Sequence, residues 1–250
     1  MKHSSVSVTR CGSGPAIILL HGWGMNASVF ERLSHKLAET RTVVLVDLPG
    51  HGKSAWDGAI SFQDQVAMIA TEVPEGELLG WSMGGLYALE MLRQNPDQFD
   101  RLSLVCCNPC FIRQSDWQCA VDEPIFDAFN DDLQKGWRNT IKRFLSLQMH
   151  GSANARQLVR HLMERLENGG EADAEALQFG LDLLKQNDSR ELLASLQVPT
   201  KLILGERDQL VPRELAKEII KVNPQIQVES LATAAHAPFL SHMTEFVAML

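Results

Sequence analysis

Short apolar runs recur along the chain and are separated by segments with helical periodicity. Uninterrupted apolar runs of four to eight residues are typical of strands that are covered on both faces. With an alternating segment at the start, these runs predict strands at residues 6–9, 16–20, 43–46, the run ending at Gly80, 102–107, 200–204 and 227–231. Helical patterns lie between them, at residues 29–38, 62–73, 85–94 and 212–222, with a last helix from about residue 241.

Strands that alternate with helices predict a mostly parallel sheet. The alternation stops between residue 111 and about residue 187, where helical periodicity continues without a convincing strand. We therefore predict an α/β fold with a mostly parallel central sheet flanked by helices. Residues 1–110 and 188–250 would form this core, and residues 111–187 an inserted helical cap, or lid.

The stretch Gly80-Trp81-Ser82-Met83-Gly84 joins a predicted strand to a predicted helix. Glycines are needed in so sharp a turn because a Cβ would collide with neighbouring backbone. The G-x-S-x-G spacing is typical of a turn that presents a nucleophilic serine at the N-terminus of a helix. A purely structural glycine turn is the alternative, but the position between strand and helix favours Ser82 as a nucleophile.

A serine nucleophile needs a histidine base that an acidic residue orients. In folds with this turn, the order along the chain is serine, acid, histidine. His236 fits this order in a loop after the last strand, whereas His242 lies on the predicted last helix. For the acid we choose Asp208, which follows the strand at 200–204, with Glu206 as a less favoured alternative.

Acyl transfer also needs backbone N–H donors for the developing oxyanion. We expect them from Met83, next to the serine, and from Trp23 in the loop His21-Gly22-Trp23-Gly24. Trp23 could instead, or in addition, be a hydrophobic plug over the sheet. His21 precedes the serine in the chain, so we expect it to order this loop rather than to act as the base.

Composition limits the possible partners and location. Of the 250 residues, 45% are hydrophobic and 22% are charged, as in ordinary soluble globular proteins. The net charge of −8 disfavours nucleic acid as a partner. No apolar run approaches the roughly 20 residues of a membrane span, and the first residues lack the apolar stretch of a signal peptide. We expect a cytoplasmic monomer that does not bind membranes.

Two motif-like stretches do not support a cofactor site. Gly52-Lys53-Ser54 resembles the end of a phosphate-binding loop, but Asp47 occupies the position where such a loop needs a glycine. Cys107 and Cys110 have redox-pair spacing, yet thiols at the end of a buried strand are better explained as small apolar groups. No second ligand pair suits zinc, so we expect neither a metal nor an organic cofactor.

The serine turn, the His-Gly loop, the late aspartate and the late histidine make the chain resemble the α/β-hydrolase family over essentially its full length. Residues 46–50, 108–111, 143–148 and 234–239 further resemble the family's carboxylesterases that act on pimeloyl-acyl-carrier-protein methyl ester in biotin synthesis. The resemblance implies the α/β-hydrolase fold and no cofactor. It also implies a substrate pocket formed by Trp23, Ser82, Met83, Phe144, Leu145, Ser146, Leu147, Gln148 and His236.

The same resemblance assigns contacts with the acyl-carrier protein to Arg143, Arg156 and Arg160. The chain departs from the family's pattern at Asn139, which aligns with another basic contact position, although Arg138 stands beside it. This departure concerns the details of carrier recognition.

Charge within the cap supports an acidic partner independently of the resemblance. Residues 135–165 contain seven Lys or Arg and one acidic residue, inside a chain of net charge −8. Such a basic segment could receive an acidic protein. Alternatively it is a solvated surface that balances acids elsewhere, such as the six acidic residues at 116–132.

We predict a serine carboxylesterase that hydrolyses the methyl ester of pimeloyl-acyl-carrier protein, releasing methanol. A broad small-ester hydrolase or the menaquinone-pathway lyase on the same scaffold are alternatives. That lyase is expected to bind a small anionic diacid in a basic pocket, whereas Phe144, Leu145 and Leu147 indicate an apolar slot. A ligand-binding protein without turnover is a third alternative, which the intact serine, aspartate and histidine disfavour.

Overall fold

A computed structural model describes residues 5–151 and 154–250. Seven strands in these ranges form one sheet. The strands are β1 (Ser7–Gly12), β2 (Ala16–Leu20), β3 (Thr42–Asp47), β4 (Gly76–Trp81), β5 (Phe99–Val105), β6 (Thr200–Gly205) and β7 (Gln227–Leu231). Their order across the sheet is β1-β3-β2-β4-β5-β6-β7. β1 runs antiparallel to β3, and the other neighbours are parallel. The predicted mostly parallel sheet is confirmed.

Helices flank this sheet and bury its central strands. In chain order they are α1 (Glu31–Leu37), α2 (Phe62–Glu72), α3 (Met83–Gln94), α4 (Glu123–Lys135), α5 (Trp137–Gln148), α6 (Ala155–Gly169), α7 (Ala174–Gln186), α8 (Arg190–Ser195), α9 (Leu215–Val222), α10 (Pro238–Ser241) and α11 (Met243–Met249). The four β2 side chains from Ile17 to Leu20 are fully buried. Each contributes about 1.5–3 kcal/mol through removal of its apolar surface from water.

The helices between β5 and β6 divide into two groups. α5 contacts both α4 and α6, and α4 also contacts α7, whereas α8 packs against α3 and α9 of the core. The 3₁₀ turn Ala27–Phe30 of the core packs against α6. The cap limits at residues 111 and 187 stay a prediction, and the second of them falls between α7 and α8. Within the described ranges, no helix has the length and apolarity that crossing a membrane requires.

Several predicted boundaries are wrong by a few residues, and left-handed backbone explains two of them. β5 ends at Val105 instead of residue 107, because Cys106 turns the chain at φ 45°. α3 begins at Met83, two residues earlier than predicted, because Ser82 ends β4 at φ 56°. α9 begins at Leu215 rather than at Pro212, since the residues before it form a turn.

Candidate active site

Ser82 lies on a strained turn between β4 and α3. Its φ of 56° is in the left-handed region, which costs energy for a residue with a Cβ. Its N–H donates to the carbonyl oxygen of Val105 at 2.9 Å, and its own carbonyl oxygen accepts from Gly85 N–H at 2.9 Å. A Cβ on Gly84 would stand 2.2 Å from the carbonyl oxygen of Leu20, so only glycine fits at this approach. The backbone therefore determines where the serine hydroxyl sits.

His236 and Asp208 form a buried hydrogen-bonded pair. Nδ1–H of His236 donates to Oδ2 of Asp208 at 2.7 Å, and neither side chain is exposed to solvent. The other carboxylate oxygen of Asp208 accepts from the N–H groups of Leu210 at 2.8 Å and Val211 at 3.1 Å. Because a carboxylate oxygen can only accept, Nδ1 of His236 carries the proton of this bond, and Nε2 is left free to accept a hydrogen bond. The side chain of Glu206, the alternative acid, is exposed.

Two further bonds fix the backbone of His236. Its N–H donates to the carbonyl oxygen of Gln148 at 3.1 Å, and its carbonyl oxygen accepts from Nε1 of Trp81 at 2.7 Å. Trp81 immediately precedes Ser82, and its ring centroid lies 5.8 Å from that of His236. The structure thus brings the loop that carries His236 beside the serine turn.

Nε2 of His236 has no hydrogen-bond partner among the described residues, so the hydroxyl of Ser82 is not bonded to it in this structure. A serine–histidine bond of this kind often tightens only when substrate is bound. The structure places the aspartate–histidine half of the predicted triad in contact, with the serine on the adjacent turn.

The Gly22-Trp23 loop lies directly against the serine turn. A Cβ added to Gly22 would stand 3.2 Å from the Cβ of Ser82. Within the part of the chain that the structure describes, the backbone N–H groups of Trp23 and Met83 donate no hydrogen bond. Trp23 directly follows Gly22, and Met83 directly follows Ser82, so these two unpaired N–H groups are candidates for an oxyanion hole.

The Trp23 side chain is fully buried and connects the core to the cap. Its Nε1 donates to the carbonyl oxygen of Leu177 on α7 at 2.8 Å. Its ring makes edge contacts with Phe129 of α4 at 5.5 Å and Phe144 of α5 at 5.1 Å between centroids. Trp23 therefore packs as a hydrophobic plug, as the alternative interpretation of this residue expected.

A cavity of about 1060 Å³ opens over Ser82, between the serine turn and the cap. Its volume is at the upper end of the range for small-molecule pockets. Apolar side chains predominate in its lining, which includes Phe111, Val121, Ile125, Phe126, Phe129, Phe144, Leu147, Leu181, Leu184 and Leu210. Polar groups, among them Asp132, Asn139, Lys142, Arg143 and His150, complete the lining.

The predicted pocket residues divide into two groups. Ser82, Phe144, Ser146 and Leu147 line the cavity. The others are buried and are not among its lining residues: Trp23, Met83, Leu145, Gln148 and His236. Both polar atoms of the Gln148 side chain lack a hydrogen-bond partner among the described residues. The sequence interpretation missed the apolar lining from α4 and α7, for which helical periodicity was the available signal.

The basic segment of the cap is partly neutralised by its own acids. Arg143 is paired with Asp132 at 2.6 Å, and Arg138 with Glu171 at 2.7 Å. Arg156 and Arg160 are exposed on α6 and form no ion pair within the described ranges. Other acids of the 116–132 segment are paired too, for example Asp116 with Arg190 and Asp127 with Lys185. Some of the expected intramolecular pairing therefore occurs.

One group of side chains in the described ranges has the spacing of a metal site: Cys106, Asp208 and His236, whose nearest ligand atoms lie within 4.8 Å of one another. Nδ1 of His236 and Oδ2 of Asp208 already bond to each other. Burial raises the pKa of the Cys106 thiol well above its usual value, and the nearby Asp208 carboxylate adds to this effect. A protonated thiol is a poor metal ligand, so this cluster is better explained by its hydrogen bonds.

Known esterases are similar to this chain over nearly its full length. The chain is 42% identical over 232 residues to the pimeloyl-[acyl-carrier protein] methyl ester esterase of Xanthomonas oryzae pv. oryzae, covering 92% of this chain and 91% of that protein. It is 38% identical over 242 residues to the esterase of the same name from Xylella fastidiosa, covering 96% and 94%.

Solved structures show the same fold at lower sequence identity. An esterase from Exiguobacterium antarcticum superimposes with a TM-score of 0.88 at 23% identity, covering 98% of this chain and 93% of that one. Residues 17–249 match the sequence profile described as the alpha/beta hydrolase family. The chain therefore belongs to the alpha/beta hydrolase family.

Proposed function

We propose that this protein is a serine carboxylesterase that hydrolyses the methyl ester of pimeloyl-acyl-carrier protein. The observation that carries the proposal is the buried Asp208–His236 pair, which lies beside a strained serine at the floor of an apolar cavity. The name of the curated relatives at 38–42% identity supports the substrate. The products would be methanol and the free carboxylate, still attached to the carrier.

In the first step, the hydroxyl of Ser82 attacks the ester carbonyl carbon while Nε2 of His236 takes its proton. Asp208 stabilises the imidazolium that forms and keeps its orientation, because its own position is held by two backbone N–H groups. The N–H groups of Trp23 and Met83 would receive the negative charge on the carbonyl oxygen. Removing one such donor typically costs about 3 kcal/mol of transition-state stabilisation.

In the second step, His236 donates the proton to the leaving methoxide, and methanol departs from the acyl-enzyme. A water molecule then attacks the acyl carbon while Nε2 of His236 accepts its proton. Collapse of the second tetrahedral intermediate returns the proton to Ser82 and releases the acid. All proton transfers use groups of this chain, so the reaction needs no metal or organic cofactor.

The cavity suits an extended aliphatic acyl chain better than a compact, highly charged substrate. Phe111, Phe144 and Leu184 belong to its lining, while Lys142 and Arg143 add positive charge. Ile125 and Leu147 also line it and are 64% and 43% exposed. These apolar side chains would contact the part of a carrier-linked chain that passes between solvent and Ser82.

Carrier recognition would use the basic residues of the cap. Arg156 and Arg160 are available because they have no ion-pair partner among the described residues, whereas Arg143 must exchange Asp132 for a carboxylate of the carrier. Exposed ion pairs are weak, so this exchange costs little. Arg143 therefore remains part of the proposed contact, together with the two α6 arginines.

The decisive experiment offers purified protein the pimeloyl-acyl-carrier-protein methyl ester and follows the carrier by mass spectrometry. We expect the methyl ester to become the free carboxylate, and we expect the Ser82→Ala variant to leave it unchanged. A p-nitrophenyl ester of a short acid serves as the carrier-free substrate in parallel. Turnover of the p-nitrophenyl ester without turnover of the carrier ester would contradict the proposed substrate and favour a broad small-ester hydrolase.

A further inference from the structure

A second groove, of about 540 Å³, lies where α6 of the cap meets the core, away from the cavity over Ser82. Four basic side chains from separate elements line it: Arg32 of α1, His161 of α6, Arg207 after β6, and His242 between α10 and α11. No acidic side chain is among its lining residues in the described ranges. Because Arg32 and Arg207 are charged and no acid stands among the lining residues, the groove is a locally positive region of a chain whose net charge is −8.

The junction between α6 and the core differs at its two ends. Toward the C-terminal half of α6, Arg165 forms an ion pair with Glu31, and its carbonyl oxygen accepts from the hydroxyl of Ser28 at 3.3 Å. One turn earlier, His161 faces the groove that also contains Arg32. At one end of this junction an ion pair therefore joins the cap to the core. At the other end, basic groups of the cap and of the core lie together.

The pKa of His161 reflects the positive charges around it. Burial lowers its pKa, and the charges of Arg165 and Arg32 lower it further. Glu164 and Glu31 oppose the shift without cancelling it, and Glu31 is already paired with Arg165. A negative charge in the groove would remove the repulsion that these neighbours exert.

The groove has free donors for such a charge. Arg32 is exposed and its guanidinium donates no hydrogen bond among the described residues, while Arg207 uses one nitrogen to donate to the carbonyl oxygen of Gly151 at 2.8 Å. The two ring nitrogens of His242 bond to the hydroxyls of Thr233 and Ser241, each at 2.8 Å. A hydroxyl that accepts a hydrogen bond from a ring N–H keeps its own proton, which it can donate to an anion.

We infer that this groove binds a phosphate-type oxyanion that bridges the cap and the core. The planar fork of an arginine guanidinium matches phosphate oxygens, and here two arginines approach from different elements. The anion would supply the negative charge that Glu31 supplies to Arg165 one turn along α6. This site is separate from Ser82, and the inference does not depend on the ester that the enzyme cleaves.

The test titrates the full-length protein with inorganic phosphate at constant pH and ionic strength, and follows the ring-proton NMR signals of His161 and His242. We expect both signals to shift together along one saturable curve. Sodium chloride at equal ionic strength should not reproduce the shift. If chloride produced the same response, charge screening alone would explain it, and the inference would be overturned.

Two variants locate the site. Arg32→Gln keeps a polar side chain at an exposed position, and it should weaken phosphate binding about fivefold, which corresponds to about 1 kcal/mol. Arg213→Gln is the matched control, because Arg213 is exposed, pairs with Glu214 and does not line the groove. Equal weakening by both variants, or by neither, would contradict the assignment.

A second readout tests the bridging role. Phosphate should slow amide hydrogen exchange in α6, because a ligand that contacts cap and core opposes their separation. The effect should be absent in Arg32→Gln at the same phosphate concentration. Binding without protection of α6 would leave an anion site but refute the bridge.

Discussion

A histidine–aspartate hydrogen bond in the core and an arginine–aspartate ion pair on the cap have nearly equal lengths but opposite environments. His236 and Asp208 are 2.7 Å apart with no exposed side-chain surface, whereas Arg143 and Asp132 are 2.6 Å apart with 75% and 35% of their side chains exposed. Distance alone would rank the two pairs as equals. Burial and additional backbone bonds make the first pair rigid, while the second is solvated and can change partners.

The two pairs differ in how their carboxylates are held in the core and on the cap. In the core, the carboxylate of Asp208 accepts two backbone N–H groups in addition to the histidine, so its geometry does not depend on flexible side chains. On the cap, Arg143 reaches Asp132 through a long exposed side chain. The core pair therefore keeps one geometry, as the proposed chemistry requires, while the exposed pair could exchange its carboxylate for one of the proposed carrier.

The largest effect should come from Ser82→Ala. Ester turnover should fall by at least about a thousandfold, since a triad serine normally contributes more than that. The helix α3 and the sheet should be unchanged, because the side chain is partly exposed and leaves no core cavity. Kinetics on a p-nitrophenyl ester and circular dichroism measure the two expectations. Residual turnover above that level would mean that another group is the nucleophile.

Asp208→Asn should have the next largest effect, a fall in kcat of about 10³ to 10⁴. An asparagine carries no charge and can donate to Nδ1 instead of accepting from it, so His236 loses its countercharge and the tautomer that leaves Nε2 free. Substrate affinity should change little, because Asp208 does not line the cavity. Glu206→Gln is the matched control, since its exposed side chain is two residues away and should be dispensable. The reverse result would show that the alternative acid is the functional one.

Low pH should destabilise the folded protein through two buried histidines of the core. Burial lowers the pKa of His21 from 6.5 to about 4, and burial together with His21 lowers that of His51 to about 3. The unfolded chain takes up these protons near pH 6.5 while the folded chain does not. The contribution of these histidines to the free energy of unfolding is therefore fully present above that pH and is lost as the pH drops toward 4. At pH 5 the loss is about 2 kcal/mol per histidine.

Urea unfolding at pH 7 and pH 5 measures this loss. His51→Gln should reduce the difference between the two pH values, because one buried imidazole no longer has to stay neutral. The exposed residue His35 on α1 provides the control variant His35→Gln, which should leave the difference unchanged. If His51→Gln left the stability difference between pH 7 and pH 5 unchanged, His51 would not contribute to the loss of stability in acid.

The sequence predicted the core far better than the cap, for a physical reason. Ser82, Asp208 and His236 lie at strand ends, and parallel strands bring their carboxyl ends to one edge of the sheet. On α5, by contrast, Phe144 lines the cavity while its neighbour Leu145 is buried elsewhere. Successive helical residues point about 100° apart, so an apolar run cannot reveal which member faces a cavity until the packing of the helix is known.

The smallest expected effect tests the cap surface itself. Charge reversal at Arg156 and Arg160 together should raise KM for the carrier-bound ester about tenfold and leave kcat nearly unchanged, because rim charges act mainly on encounter and register. Hydrolysis of p-nitrophenyl esters should be unaffected, since neither arginine lines the cavity over Ser82. Added salt should raise KM for the wild type on the carrier substrate, because exposed charges are screened beyond about 8 Å at physiological ionic strength.

Two further variants make this result specific. Arg213→Glu reverses an exposed charge that pairs with Glu214 outside the cap helices, and it should leave KM unchanged. Arg143→Glu should affect the carrier substrate less than the double reversal, because it changes one charge instead of two and this arginine is already paired with Asp132 in the wild type. If all three variants raised KM equally, overall charge rather than a defined surface would govern the encounter. If the double reversal slowed both substrates alike, the arginines of α6 would support the cap structure instead of the carrier.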